Sequence, residues 1–589
     1  MLILYKVADM MRQIYVISLI ILPFLSFSQL YIKPNGNKES FMYVQGTMVY
    51  VEKHIDLKKN PSGSLEASIY LRNEAQLLQG REDITNTGDG MLSVFQEGKA
   101  TAYTYNYWGL PVRNPNVNSR SPANIIHEPF SRTHSRPAII TSNYNGNSNP
   151  LTISSRWIYK LSGWGYLDWK FIGNEFDLKP GEGFTMKGVD GVNTQVRLYG
   201  VENNPGGEQR YDFRGAPNTG TISLDIVQDE VLLVGNPYPS ALDLNLFLLE
   251  NTNTTGIAYF WDSRPVASHY LQDYEGGYGA YSPALGTQGY VPPVFQKFNN
   301  TGETIENTGN TGEYYARRYA PIAQGFIVEG LQTGKVHFRN RYREFQKENP
   351  VFSEFKSMNE NNAEIDIPFF RLNVTLGNKY TRQLLIAFHP ASTTGVDRAM
   401  DAKNFSPLDT DVGFWNENQK YIIDVRPEKT DIPLEISAAE PVEIHFELAP
   451  GNHFEDEVFL WNAEDNIYYN LKNQQVSIPV NSGDLTGKYW ITFSKRIDNT
   501  EEPVAVQNEY KIFQNNFYHR AEILSPFTST PRIIELFDIG GRKIREIKGL
   551  ENEFYYAIPT GNLTNGVYII KIISDDGAIV SKKVIISNL

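Results

Sequence analysis

The side chains best placed to do chemistry in this chain are its clustered aromatics and its acids. Trp157, Tyr159, Trp164, Tyr166 and Trp169 crowd one short stretch, and Tyr270, Tyr274, Tyr278 and Tyr281 crowd another. Flat rings among glycines on loops can stack on sugar faces, so Trp157, Trp164, Trp169, Tyr274 and Tyr278 are candidate glycan-facing residues. For any one ring, filling a β core is the commoner fate. Asp397, Asp401, Asp409 and Asp411 could together offer oxygens to Ca2+. Their spacing matches no calcium-binding loop, however, and acids in loops commonly cap turns or face water. With 67 Asp and Glu residues in the chain, some pair will always stand at the separation that glycoside hydrolysis needs, so counting acids identifies no hydrolase.

Motifs with a defined mechanism are missing. The sequence has no Gly-x-Ser-x-Gly elbow, no His-Glu-x-x-His, no phosphate-binding glycine loop and no dinucleotide fingerprint. Its nine histidines are scattered, and His127-Glu128 and His389-Pro390 read as surface or strand-end residues. No catalytic residue, metal ligand set or cofactor is assigned. A non-enzymatic protein is the favoured reading, and a hydrolase or peptidase whose site assembles from distant residues is the alternative.

The elements that must carry these residues are strands. The chain has 35 Tyr, 32 Phe and 8 Trp with 46 Gly and 32 Pro, a mixture that favours strands and turns. The expected fold class is all-β and multi-domain, with β-sandwich-like units. Cysteine is absent, so packing and backbone ladders must supply stability without disulfides. A net charge of −13 argues against nucleic acid or anionic lipid as a partner.

Residues 29–101 alternate short strands and Gly or Asn turns, which suits a few coils of a parallel β-solenoid or two or three hairpins. Residues 102–345 read as an internal duplication. Trp108-Gly109-Leu-Pro111 leads to Gly181-Glu-Gly183-Phe184, and Val234-Gly235-Asn-Pro237 leads to Ala323-Gln-Gly325-Phe326. A Gly before Phe lets one backbone approach another closely while the ring packs. The polar tracts Asn299–Glu313 and Ser142–Asn149 are expected to be mobile surface loops. Residues 365–495 alternate cleanly, as in a β-sandwich, between polar linkers at about 346–364 and 496–507.

Residues 505–589 form a last small β domain. Asp538-Ile-Gly-Gly541-Arg542 and Asp575-Asp-Gly577 supply hairpin turns. The closing strand pair is apolar on consecutive positions, as expected for strands covered on both faces. Leu536-Phe-Asp538-x-x-Gly541-Arg542, then Gly566-Val-Tyr568, then Lys582-Lys583 before an apolar end, resemble the C-terminal sorting domain of type IX secretion substrates in Bacteroidetes. That resemblance implies an immunoglobulin-like fold. It also implies a sorting role for Leu536, Asp538, Gly541, Arg542, Gly566, Tyr568, Lys582 and Lys583, and the type IX machinery and its sortase as partners. Trp108 to Pro111, Val234 to Leu242 and Ala387 to Asp401 are similar to uncharacterised flavobacterial surface proteins, a likeness that implies no activity.

The other end fits export. Residues 1–28 place Lys6 and Arg12 before an apolar run from Ile14 to Phe27 that is too short for a stable span, with Ser26 and Ser28 at the −3 and −1 positions. A signal peptide cleaved between Ser28 and Gln29 is expected, leaving a mature chain without a transmembrane span. The combined expectation is a secreted or outer-surface protein that serves adhesion or contacts surface glycans.

Overall fold

The computed structural model describes residues 30–587 except 62–66, 100, 115–119, 174, 300–303, 349–366, 378, 451–453, 473, 496–509, 516–518, 525–529, 549, 551–554, 576 and 578. The signal-peptide residues, with the expected cleavage point at Ser28 and Gln29, lie outside them. Strands make up 53% of the described residues and helix 6%, so the protein is all-β and multi-domain. Leu244–Glu250 is the single α-helix among the described residues, and none of their helices is long and apolar enough to cross a membrane. The chain divides into two units, 1–495 and 496–589.

The first unit begins as a parallel solenoid. Leu30–Ile32, Ile55–Leu57 and Thr87–Gly88 stack as one face, and Met42–Gln45, Ile69–Arg72 and Leu92–Gly98 as the next. Met48–Val51 and Gln76–Gln79 form the third. Parallel stacking aligns like with like, so Met42, Ile69 and Leu92 make one apolar column and Val44, Leu71 and Val94 another. A hairpin arrangement would not superpose these columns. Gln209–Pro217 then pairs antiparallel with Leu92–Gly98 and carries the sheet onward to Ile126–Pro129.

The two segments read as a duplication adopt similar pairings. Tyr105–Trp108 runs antiparallel to Phe184–Lys187 with Trp108 opposite Phe184, and Val231–Gly235 runs antiparallel to Gly325–Gly330 with Val234 opposite Phe326. The copies meet edge to edge around a local pseudo-two-fold. Gly109 N–H donates to Ala323 O at 2.8 Å, and the equivalent Gly235 N–H donates to Gly181 O at 2.9 Å. Bridges between Trp108 and Gln324 and between Glu182 and Val234 repeat the same exchange. Four glycines make this crossing possible. A Cβ would fall 2.6 Å from Gly235 C at Gly109, 2.6 Å from Val234 O at Gly183, 2.3 Å from Gly109 Cα at Gly235 and 2.6 Å from Tyr107 C at Gly325.

Residues 367–495 build one unbroken sheet. It runs from Ile467–Asn470 through Gly483–Thr492, Gln419–Arg426 and Phe369–Leu376 to Val476–Val480. Ile444 and Phe446 point inward opposite Ile478 and Val476, while Glu443 and Glu447 point outward. The alternation legible in the sequence therefore becomes one covered face. Its core, including Phe370, Leu384 and Ile436, is continuous with Leu233, Tyr259 and Ile327 of the second repeat.

Both polar tracts depart from the mobile-loop expectation. Thr304–Thr311 pairs antiparallel with Val294–Phe298. An edge strand needs ladder partners more than apolar side chains, and Thr and Ile suit it. In the other tract, Asn147–Ser148 pairs with Leu151–Thr152.

The second unit sets Lys511–Asn515, Arg520–Leu524 and Tyr555–Pro559 in one sheet. Lys543–Lys548, Pro531–Asp538, Gly566–Ser574 and Ile579–Ile586 form the other. Tyr568, Ile570, Ile572, Val584 and Ile586 fill the core, whereas Ile579 and Ile585 are exposed. The closing strands are thus covered on one face only, because a two-layer sandwich covers only the inner face of each sheet.

Candidate functional site

The aromatic candidates fall into two groups joined by the strand Tyr105–Trp108. Side chains alternate across a strand, so Tyr105 and Tyr107 share one face. Lys187 lies opposite Tyr105 and Thr185 opposite Tyr107 in the ladder. Thr185 fixes what lies above. Its hydroxyl donates to Trp157 O at 2.9 Å and accepts from Tyr159 N–H at 3.1 Å, which seats the short 3-10 turn Ser155–Trp157.

The first group encloses the Lys187 ammonium. Its Nζ lies 3.7 Å from the centroid of the Trp157 ring, 4.6 Å from Tyr105 and 5.0 Å from Tyr274. It donates to Tyr274 Oη at 2.7 Å and stands 3.1 Å from His269 Nδ1. His269 stacks on Trp157 with centroids 4.8 Å apart and planes 9° from parallel, and its Nε2 lies 2.5 Å from Asn145 Oδ1. Asn145 in turn donates to Asp190. Tyr103 and Tyr144 pack on the imidazole at 4.8 and 5.5 Å. Burial pushes the Lys187 amine down to about 7, while the surrounding ring faces favour its cation. Burial also lowers His269, helped by the Lys187 charge.

The second group centres on Tyr107 and Tyr278, whose hydroxyls lie 2.7 Å apart. Trp169 packs on Tyr107 at 5.9 Å, and Tyr278 meets Trp261 at 5.1 Å and Phe405 at 4.9 Å. Trp164 lies on Phe405 at 4.9 Å, and its indole N–H donates to Asp229 O. The five candidates therefore differ in exposure. Trp164 is 46% exposed, Tyr274 only 3%, and Trp157, Trp169 and Tyr278 are half-buried. Sequence reasoning missed Lys187, His269, Asn145 and Tyr144. The available signal was Lys187 itself, a lysine on the strand that opens with the repeated Gly-Phe.

The four acids considered for calcium do not converge. Asp411 pairs bidentately with Arg382, both contacts 2.9 Å, and Asp409 is exposed. Asp401 accepts backbone N–H from Asp397 at 2.6 Å and Val425 at 2.7 Å. Burial raises its carboxyl well above the usual range, with Asp424 adding to the effect. Among the described residues no three His, Asp or Glu side chains are grouped to hold a metal.

A cleft of about 830 Å3 adjoins the aromatic groups and is lined by Tyr107 and Trp261 with Glu97, Arg210, Asp262 and Glu348, among others. Arg210 pairs with Glu97 at 2.6 Å, and Gln96 donates to Glu348 at 2.6 Å. Burial lifts the Glu348 carboxyl to about 7.

In the second unit the sorting residues occupy distinct places. Leu536 is buried, and Tyr568 is buried with its hydroxyl donating to Thr564 O at 2.9 Å. Asp538 accepts from Arg542 N–H at 2.9 Å and Arg542 Nε at 3.1 Å across a turn in which Gly541 has φ +80°. The Arg542 backbone N–H is the main cause of its lowered carboxyl pKa. Gly566 opens its strand, and Lys582 and Lys583 are exposed on the last one.

No curated protein matches the chain. Among solved structures, a polysaccharide lyase is similar at 10% identity and a TM-score of 0.12, covering 38% of this chain. The chain spans 40% of that protein's length. A biofilm associated protein, its BSP domain, is similar at 10% identity and a TM-score of 0.14, covering 84% of this chain and 96% of its own. At such TM-scores neither likeness bears on fold or activity. Residues 520–587 match the secretion system C-terminal sorting domain, the type IX tail, so the protein is handled by that machinery and is secreted or held at the outer surface. Residues 26–493 match the family described as a domain of unknown function, DUF8693, and the chain belongs to that family.

Proposed function

We propose that the first unit is a non-enzymatic adhesion body that contacts glycans at the cell surface, and that signal-peptide export followed by type IX sorting delivers it there. The observation that carries this reading is the partly exposed group of Tyr103, Tyr144, Trp157 and His269, carried on turns and loops beside the strands Tyr105–Trp108 and Phe184–Lys187 and rimmed by Asn145, Arg156 and Asp190. Rings present flat apolar area at little cost in side-chain entropy, and the rim supplies hydrogen bonds to hydroxyls. A glycan array probed with the secreted protein tests it. Binding that Trp157→Ala weakens at least tenfold is expected, and absence of binding to every glycan refutes the reading.

One observation favours a second reading. In the cleft, burial raises the Glu348 carboxyl to about 7 while Glu97 pairs with Arg210, and pairs of acids in contrasting environments serve glycoside hydrolysis. Release of reducing ends from a polysaccharide, lost in Glu348→Gln, would support that activity. No release from any polysaccharide removes it.

A further inference from the structure

The aromatic group carries an unusual charge balance for a protein of net charge −13. The Lys187 ammonium takes a phenol, an imidazole and ring faces as neighbours, and among the described residues it has no carboxylate within ion-pair distance. Arg156, exposed at the rim, lies 4.4 Å over the Tyr144 ring and donates to Ser142 O at 3.2 Å, and among the described residues it too makes no ion pair. Two cations without counter-ions therefore flank Tyr144 and Trp157. Two acids are nearby: Asp190 is occupied by Asn145 on the far side of His269, and Asp273, beside Tyr274, accepts from the Ser268 hydroxyl at 2.5 Å.

An ammonium in a poorly solvated setting attracts an anion more strongly than one in water does, because less solvent screens it. Arg156 adds a planar fork suited to a carboxylate or sulfate. Resting on the glycan reading above, we propose that this face selects acidic sugars: a ring carrying a carboxylate or a sulfate ester stacks against Tyr144 and Trp157, with its anionic group on the exposed Arg156 and with Lys187, buried against the Trp157 ring, adding its field from beneath. Binding of the anion would in turn hold Lys187 in its charged form, the state that the ring faces already favour.

The test measures binding of the full secreted chain to immobilised polygalacturonate, dextran sulfate and neutral dextran at 0.15 M salt. At least tenfold tighter binding to one or both acidic polymers than to dextran is expected, and which of the two is bound distinguishes carboxylate from sulfate. Arg156→Gln changes an exposed side chain and is expected to weaken acidic binding about tenfold while leaving dextran unaffected; Lys187→Met is expected to do the same. Equal binding to dextran and the acidic polymers overturns this inference and leaves the glycan reading standing. Acidic binding indifferent to both substitutions also overturns it. Binding to none of the three overturns it as well, and the array then decides the glycan reading separately.

Discussion

Replacing Gly235 with alanine should damage the junction of the two repeats far more than the loss of one hydrogen atom suggests. The new Cβ would lie 2.3 Å from Gly109 Cα, 2.8 Å from Gly109 N and 3.0 Å from Trp108 O. Carbon atoms rest at about 3.5–4.0 Å, so the two backbones must part by roughly 1 Å or more. Both pseudo-symmetric hydrogen bonds, now 2.8 and 2.9 Å, would then open beyond useful length. Leaving the buried groups of one such bond unpaired costs about 1–3 kcal/mol, so about 2–6 kcal/mol for the two. For a unit of this length, at about 2 cal/mol/K of unfolding entropy per residue and so about 1 °C per kcal/mol, this corresponds to a fall in Tm of about 2–6 °C. Scanning calorimetry of the full chain is the assay, with Gly395→Ala as control, since its Cβ would meet only Thr393 Oγ1 at 3.5 Å. A Gly235→Ala protein melting within about 1 °C of that control would refute the reasoning.

Other substitutions probe separate features. Ala323 sits at φ +62° where the equivalent residue is Gly181, so Ala323→Gly should be neutral or stabilising by up to about 1 kcal/mol in the same calorimetry. Arg382→Met strands the Asp411 carboxylate, which is fully buried, and should cost about 3–5 kcal/mol in urea unfolding. Lys187 has a folded pKa lowered from 10.5 to about 7, so between those values the unfolded chain binds more protons and stability rises with pH. Lys187→Met should flatten that rise and stabilise most below pH 7, by up to a few kcal/mol; an unchanged pH profile of Tm would refute this. Truncation before residue 505 should keep the protein from the cell surface, and fractionation that finds it there would disprove the sorting role of the tail.

Legibility in the sequence followed the physics of each element. The tail could be read because its turns are local: Asp538, Gly541 and Arg542 close a hairpin on themselves. Sheet alternation in 365–495 was visible for the same reason. The solenoid could not be told from hairpins, because only the cross-coil columns such as Met42, Ile69 and Leu92 distinguish them, and these are long-range. The Gly-Pro corners and Gly-Phe strands were visible in the sequence, but the meeting of four glycines at one crossing was not. The aromatic candidates were identified by density alone, which says nothing of exposure. Tyr274 proved buried, and the lysine it hydrogen-bonds was overlooked. Low apolar content misled for Thr304–Thr311, where backbone pairing with a neighbouring strand outweighs composition.

The glycine crossing has a consequence for the order of events along the chain. It joins residue 109 to 323 and residue 235 to 181, so neither repeat can complete its edge until both have been synthesised. Contacts of such separation make folding slow, since loop closure must precede the reward. The first repeat therefore waits with an open strand edge, a state prone to wrong pairing, and the helix Leu244–Glu250 and the strands between it and residue 323 form while that edge is still unclaimed. For an exported protein this sets a clock: the interval before residue 325 arrives is when the chain is most in need of a chaperone.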